Sequence, residues 1–243
     1  MPARGAFKSP PEGIVFLAVP DAVIGEFAAR VAATDPAPAV SFVHLSGAMT
    51  LDVLAPLSSG HAVGSFHPLQ SFPFAREPEA FRDITIAVDA STPALLRKLQ
   101  RLARELGARP RKVAAEERVL YHAAAVYASS FVLATFREGV RQLVRIGWSE
   151  QDATRALLPL LDGVVANIRR KGVLRSLTGP IRRGDADTVK RHIEALDRPD
   201  PYRILASIAL EIAREAGLDP AAADRVRRAL TRDVAATRRR LRR

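Results

Sequence analysis

The sequence predicts an α/β half followed by an all-helical half. In the first half, short apolar runs of strand length alternate with segments of helical periodicity, which is typical of a parallel sheet with crossover helices. After about residue 115 only helical periodicity remains. A third observation is the stretch 119–136, which contains no charged side chain. We therefore expect an α/β domain over 1–114 and a helical domain over 115–243.

The first strand is predicted at 14–19, because a strand inside a parallel sheet is apolar on both faces. Pro20 and Asp21 end this run, and Asp21 is expected to cap a helix over 22–33. The other elements expected in this half are strands at 40–45, 62–66, 84–88 and 111–114, and helices at 51–54 and 92–106, the last closed by Gly107. Since helices separate the strands, we expect the strands to pair in parallel.

The second half is predicted to consist of helices separated by glycine and proline. The expected helices lie at 117–146, 150–171, 185–197, 201–217 and 220–240. Because the apolar residues of 119–136 recur on every face, we expect this helix to be buried nearly all round. Its length also reaches the lower limit of a membrane span, but it contains a histidine, two serines and a threonine, and we predict no membrane insertion.

His122 and Ser129 lie on one face of this helix, since seven residues span about two helical turns. This spacing predicts that the helix lines a polar pocket on one side. The alternative is that His122 forms a hydrogen bond inside a core, because buried polar groups find partners whether or not they take part in chemistry.

The composition excludes several classes of function. There is no cysteine among the 243 residues, which rules out disulfides, thiol catalysis and cysteine-based metal sites. No basic and apolar leader opens the chain, so we predict a cytoplasmic protein without a secretion signal. Much of the net charge of +11 comes from residues 224–243, which hold nine arginines and two aspartates. We interpret this tail as a solvated basic helix end, with binding to nucleic acid or another polyanion as the alternative.

Polar residues follow the first three predicted strands. They are Pro20-Asp21, Ser46-Gly47-Ala48 and His67-Pro68-Leu69-Gln70. Because parallel sheets bind ligands beyond the carboxyl ends of their strands, we expect these segments to lie along one rim. Gly47 would allow close approach to a ligand, while His67 and Gln70 would supply an imidazole and an amide. Tight turns at Gly47 and at Pro68 are the alternative explanations.

The helical half holds a second group of candidates. Asn167 lies on an otherwise apolar helix face, and Thr178 and Asp185 flank a glycine-punctuated loop. They are candidates for orienting a substrate or His122, but Asp185 is interpreted first as a helix cap. A metal site from His44, His67 and His122 would lack any close-spaced ligand motif, so we predict no metal.

Five motifs in fixed order carry a family resemblance. They are Val-Phe-Leu-Ala-Val-Pro-Asp (15–21), His-Leu-Ser-Gly-Ala (44–48), Gly-Ser-Phe-His-Pro-Leu-Gln (64–70), Tyr-His-Ala-Ala-Ala-Val-Tyr-Ala-Ser (121–129) and Leu-Thr-Gly-Pro-Ile-Arg-Arg-Gly-Asp (177–185). The chain resembles two-domain Rossmann-like proteins whose helical C-terminal half is a domain of unknown function, DUF2520. In plan, these proteins are similar to deazaflavin-dependent NADP reductases, pyrroline-carboxylate reductase and the 6-phosphogluconate dehydrogenase superfamily.

The resemblance implies an oxidoreductase of unknown substrate that uses NADP(H). It implies a Rossmann-like domain, a helical C-terminal domain of the 6-phosphogluconate dehydrogenase type that forms a homodimer, and a small-molecule cleft between the domains. The residues implied to edge the cofactor are Val19, Pro20, Asp21, Ser46 and Gly47. Those implied to face the cleft are the catalytic candidates His122, His67 and Ser129, together with Gln70, Asn167, Thr178 and Asp185. By position, His122 is the implied proton donor, and an imidazole with an ordinary pKa of about 6.5 suits that role.

The chain departs from the family pattern in two ways. None of its 14 glycines are spaced as Gly-x-Gly-x-x-Gly, and no Gly-Lys-Ser/Thr loop is present, so the family's pyrophosphate-binding loop is missing. In addition, Ser130 stands where the family pattern has asparagine. The first departure leaves two interpretations open: an incomplete Rossmann-like domain read from a later strand, or a non-catalytic dimer or binding module that kept the scaffold.

Overall fold

A computed structural model of the chain describes residues 7–231. The five strands of its one described sheet are β1 (Glu12–Leu17), β2 (Ala39–His44), β3 (Val63–Pro68), β4 (Thr85–Ala90) and β5 (Arg109–Lys112), in that spatial order. Strands β1, β2 and β3 are parallel, so their carboxyl ends share one edge of the sheet. A mostly parallel sheet followed by helices confirms the predicted fold class.

The prediction that all strands pair in parallel is wrong at β4. This strand runs antiparallel to β3, and β5 is then parallel to β4. Between β3 and β4 the chain forms only the 3-10 turn Pro78–Phe81. A parallel pairing needs a crossover that returns the chain to the starting edge, and this connection has no helix to make one.

Helices cover both faces of the sheet. The helices of this half are α1 (Ile24–Ala32), α2 (Ala55–Ser58) and α3 (Pro93–Glu105). Helices α1 and α2 pack with Phe42 in one apolar cluster, and α3 packs with Val43 in another. Since neighbouring strand residues point to opposite faces, Phe42 and Val43 mark the two sides of the same sheet.

The described chain divides into two compact units between Leu133 and Ala134. The remaining helices are α4 (Arg118–Ala128), α5 (Ser130–Arg145), α6 (Glu150–Lys171), α7 (Gly179–Arg183), α8 (Ala186–Ala195), α9 (Asp200–Glu215) and α10 (Pro220–Thr231). In the second unit, α8, α9 and α10 share an apolar core that includes Val189, Leu210 and Val226. The proposed functional division at 114/115 stays a prediction, and most of the arginine tail (232–243) lies outside the described residues.

The uncharged stretch is not buried in the single chain. Val119, Leu120 and Leu133 are 72%, 77% and 69% exposed, so the prediction of burial nearly all round is wrong for one chain. The predicted single helix also breaks at Ser129, whose φ of -122° and ψ of -82° are not helical. By length and composition, 115–145 is the one helical run among residues 7–231 that could cross a membrane. The physical reason for the misjudged burial is that no described element of this chain covers the apolar faces.

Candidate functional site

The carboxyl ends of β1 and β2 are joined by a hydrogen bond between two predicted site residues. Ser46 Oγ donates to Asp21 Oδ2 at 2.6 Å and accepts the N–H groups of Ala48 and Met49. Asp21 forms no side-chain cap on the turn that follows β1, so the predicted capping role is wrong. The carboxylate is instead oriented toward the next strand end, as the rim prediction expected.

Gly47 lies directly against two imidazoles. A Cβ atom at this position would lie 2.8 Å from Cε1 and Nε2 of His67 and 3.0 Å from Cδ2 of His122. A side chain here would require the His67 ring to move and would press against His122. Glycine therefore allows the close approach of the β2 end to His67 and His122. The predicted candidates Ser46, Gly47, His67 and His122 are brought together.

His67 is paired with a tyrosine from α4. Its Nδ1 lies 2.8 Å from the phenol oxygen of Tyr121, and its ring centroid is 6.4 Å from that of His122. Burial, followed by the charges of His122 and Arg118, lowers the pKa of His67 from 6.5 to about 4, while Asp21 acts in the opposite direction. Burial raises the pKa of Tyr121 to about 12, against the effect of Arg118. At neutral pH the pair is an uncharged imidazole and an uncharged phenol.

Arg118 lies fully buried beneath this rim. One guanidinium nitrogen donates to the Ser46 carbonyl oxygen at 3.4 Å, and another forms a hydrogen bond with Ser65 Oγ. Burial lowers the pKa of Arg118 from its ordinary value, while Asp89 and Tyr121 raise it. A guanidinium stays charged in proteins, so Arg118 provides a fixed positive charge behind the ends of β2 and β3.

His44, at the end of β2, is buried and neutral. Its Nδ1 accepts the N–H of Ser46 at 3.2 Å, which leaves the ring proton on Nε2. Within residues 7–231, Nε2 has no partner of hydrogen-bond geometry. Burial, followed by Arg118, lowers the pKa of His44 to about 4, against opposing effects of the Thr50 backbone and Asp21.

The other predicted residues of the first unit are placed at its surface. Gln70 is exposed, and its side-chain oxygen accepts the N–H of Ser71. Ser129 is exposed and donates to the Ala125 carbonyl within its own helix. Val19 and Pro20 lie just beyond β1, where Val19 packs against the cluster that includes Phe42.

The predicted site residues of the second unit are Asn167, Thr178 and Asp185, and their described contacts are local. The Asn167 side-chain oxygen accepts from Arg170 one turn later, and Thr178 precedes α7 without a side-chain cap. Asp185 accepts the N–H of Thr188 at 3.0 Å, which confirms its capping role. Their assignment to a substrate cleft stays a prediction.

Two residues of the rim were missed as site candidates. Tyr121 stands in a quoted motif beside His122, and Arg118 immediately precedes the uncharged stretch. A charged residue at the very start of such an apolar helix was the available signal. Arginine is rarely fully buried, so sequence patterning favoured a solvent position for it.

No metal centre is found in the described part of the chain. Within 7–231 there is no group of three or more histidine, aspartate or glutamate side chains that could hold a metal ion. His67 and His122 are adjacent, but Tyr121 occupies the His67 Nδ1 atom, and no third protein ligand joins them.

A family model for a domain of unknown function, DUF2520, matches residues 84–207, just over half of the chain. The chain belongs to the DUF2520 family. Protein TM1727 from Thermotoga maritima has a similar structure, with 26% identity and a TM-score of 0.71 over 86% of this chain and 81% of that one. Among curated proteins no sequence gives a significant match.

Two more distant structures share the fold of this DUF2520 chain. BF3122 from Bacteroides fragilis, by name a candidate NADP oxidoreductase, is 20% identical with a TM-score of 0.67 over 88% of this chain and 79% of that one. Pyrroline carboxylate reductase from Plasmodium falciparum, solved with NADP bound, is 12% identical with a TM-score of 0.56 over 95% and 88%. Both similarities extend over most of each chain and support a Rossmann-like fold.

The described residues fit only part of a dinucleotide site. The turn after β1 holds Pro20 and Asp21, where a carboxylate would repel a pyrophosphate, and no glycine-rich strand-turn-helix occurs in 7–231. These residues do not supply a pyrophosphate site. The rim around Gly47 presents hydrogen-bonding side chains, with the neutral His67–Tyr121 pair beside the Ser46–Asp21 hydrogen bond.

Proposed function

We propose that this chain is an NADP(H)-linked oxidoreductase of unknown substrate, and that the rim around Gly47 is its proton-donating side. The observation that carries the proposal is the pairing of His67 with Tyr121 at 2.8 Å, directly beside Gly47 at the end of β2. The names of BF3122 and of the NADP-bound Plasmodium reductase, which share the fold, support this class of reaction. NADPH would supply a hydride to the substrate.

The pairing defines how His67 would act. A phenol is the better donor and a neutral imidazole the better acceptor, so Tyr121 O–H donates to Nδ1. The remaining ring proton is then on Nε2, which lies 2.8 Å from the Cβ position of Gly47. A neutral imidazole in this tautomer donates a hydrogen bond to a carbonyl or imine without bringing a positive charge into the site.

Proton transfer would follow the same path. As negative charge develops on the substrate atom, the Nε2 proton moves to it, and Nδ1 takes the phenol proton of Tyr121. The resulting phenolate is stabilised by Arg118, whose charge already acts on the pKa of Tyr121. An alkoxide is a stronger base than the phenolate left on Tyr121, whose phenol has a pKa of about 12, so the net proton transfer is downhill. Solvent would then reprotonate the phenolate.

The test is NADPH oxidation against a panel of aldehydes, ketones and cyclic imines. His67→Gln and Tyr121→Phe are expected to lower turnover about 100-fold, the usual contribution of a positioned proton donor. His61→Gln is the control, since His61 bonds the Val40 carbonyl at the opposite end of β2. Equal turnover in the wild type and both rim variants would remove His67 and Tyr121 from the reaction.

A non-catalytic binding module is the second candidate. The absence of a pyrophosphate site within residues 7–231 favours it, because a Rossmann-like sheet without that site has no described means of holding the dinucleotide phosphates. This candidate predicts no NADPH binding and a folded protein that keeps its dimer contact.

We further propose that a second copy of the chain covers the exposed apolar residues of α4 and α5. Both ends of the helical run 118–145 contact the rest of the chain. At its start Arg118 is buried, and at its end Arg141 and Arg145 form ion pairs with Asp197. Exposed apolar side chains also occur on α9, where Ile204 is 64% exposed. Obligate dimer interfaces are rich in apolar side chains, as these exposed helix faces are. If 119–136 crossed a membrane instead, its histidine, serines and threonine would lie in lipid, which is unfavourable. A cytoplasmic location is part of this proposal.

A further inference from the structure

We infer that the Ser46–Gly47 peptide is a ligand-binding element held in place by Arg118. Its N–H and the Nε2–H of His67 form a two-donor subsite for one acceptor oxygen of the ligand, a carbonyl or a carboxylate. The inference rests on the proposed function only in placing the ligand at this rim.

Arg118 sets the orientation of the Ser46–Gly47 peptide. Arg118 donates to the Ser46 carbonyl oxygen from its buried position. In a trans peptide the C=O and N–H bonds point in opposite directions. The Gly47 N–H is therefore directed away from Arg118.

The Gly47 N–H has no hydrogen-bond acceptor among residues 7–231. Gly47 is nevertheless buried, whereas the N–H groups of Ser46, Ala48 and Met49 on either side are all satisfied. A buried backbone donor without a partner is rare and costs free energy. A ligand oxygen would satisfy it.

The second donor is the Nε2–H of His67. The Cβ position of Gly47 lies 2.8 Å from Nε2 of His67, so the peptide and the imidazole are immediate neighbours. With Tyr121 donating to Nδ1, Nε2 carries its proton there. Two neutral donors backed by a buried guanidinium favour an oxygen on which negative charge develops, whereas the Asp21 carboxylate bonded to Ser46 Oγ opposes an oxygen of full negative charge.

Arg118 is a positioning residue in this arrangement. It is fully buried and would not contact the ligand itself, and it acts through the Ser46 carbonyl. It also bonds Ser65 on β3 and lies one helical turn before Tyr121. Arg118 thus orients the Gly47 N–H through the Ser46 carbonyl, and its charge acts on the tyrosine that pairs with His67.

The experiment is an amide NMR titration of the whole chain with two probes, acetate for a carboxylate and acetone for a neutral carbonyl, without NADPH. We expect a saturable shift of the Gly47 amide with at least one probe. Gly47→Ala, which places a methyl group against His67, should weaken binding about tenfold or more. Gly60→Ala is the matched control, since a Cβ there meets nothing within 4 Å.

Arg118→Lys tests the positioning role with a readout beyond folding. A lysine ammonium keeps the charge but cannot hold both acceptors in the planar geometry of a guanidinium. We expect a folded variant whose free Gly47 amide resonance is displaced and whose probe affinity falls about tenfold. If this variant does not fold, the Gly47→Ala and Gly60→Ala pair still decides the matter.

The inference is overturned if the Gly47 amide does not shift with either probe, or if Gly47→Ala binds them as the wild type does. Because NADPH is absent, this failure is distinct from failure of the proposed reductase function. Saturation with acetate alone assigns the subsite to a carboxylate, and saturation with acetone assigns it to a carbonyl.

Discussion

The Nδ1 atom of His67 lies 2.8 Å from the phenol oxygen of Tyr121, across 54 residues of sequence. The contact joins the end of β3 to the first turns of α4. Because burial lowers the pKa of His67 to about 4 and raises that of Tyr121 to about 12, both groups are neutral over the physiological range. The rim thus presents hydrogen-bond donors without a titrating charge from this pair.

Loss of the phenol should change the tautomer of His67. In Tyr121→Phe nothing donates to Nδ1, so we expect the imidazole to populate both neutral tautomers instead of mainly the Nε2–H form. Nitrogen chemical shifts of the imidazole measure this directly. Tyr127→Phe is the control, because Tyr127 is exposed and packs against Phe131. Unchanged His67 shifts in Tyr121→Phe would show that the phenol does not select the tautomer.

The stability of the protein should fall as the pH drops from about 6.5 to about 4. The pKa of buried His44 is lowered to about 4 in the folded chain, whereas an unfolded histidine has a pKa of about 6.5. Between these values the unfolded chain binds the proton and the folded chain does not, so unfolding becomes easier as pH falls, and stability is fully present above the window.

His44→Asn tests this assignment, since asparagine can still accept the Ser46 N–H but does not titrate. We expect its unfolding temperature to depend less on pH between about 4 and 6.5 than that of the wild type. The remaining dependence would come from His67, whose pKa is lowered in the same direction. Identical pH dependence in the two proteins would contradict the role of His44.

A charged side chain introduced into the uncharged stretch 119–136 should weaken the proposed dimer. Leu120→Glu places a carboxylate at a residue that is 77% exposed in one chain, and we expect the dissociation constant to rise at least about tenfold. Phe74→Glu is the matched control, being 72% exposed on the connection between β3 and β4. Sedimentation velocity measures both. A monomeric wild type contradicts the dimer, and partition into lipid vesicles would assign the surface to a membrane.

The rim was predictable because it follows from a rule about parallel sheets. Because β1, β2 and β3 are parallel, the segments with Asp21, Ser46 and His67 lie at the same edge of the sheet. The antiparallel direction of β4 does not change the position of these three strand ends. Arg118 was not predictable, because its burial depends on acceptors at Ser46 and Ser65 that are distant in sequence. Periodicity identified an apolar helix at 119–136 but could not reveal that the chain itself leaves it uncovered.

Cofactor binding is the most direct test of the central claim. NADPH would be titrated into the 243-residue chain and into a chain extended upstream in the same reading frame, with His67 followed by NMR. The account predicts saturable NADPH binding by the extended chain, together with a shift of the His67 imidazole resonances. Failure of both chains to bind NADPH at millimolar concentration would contradict the oxidoreductase and favour the binding module.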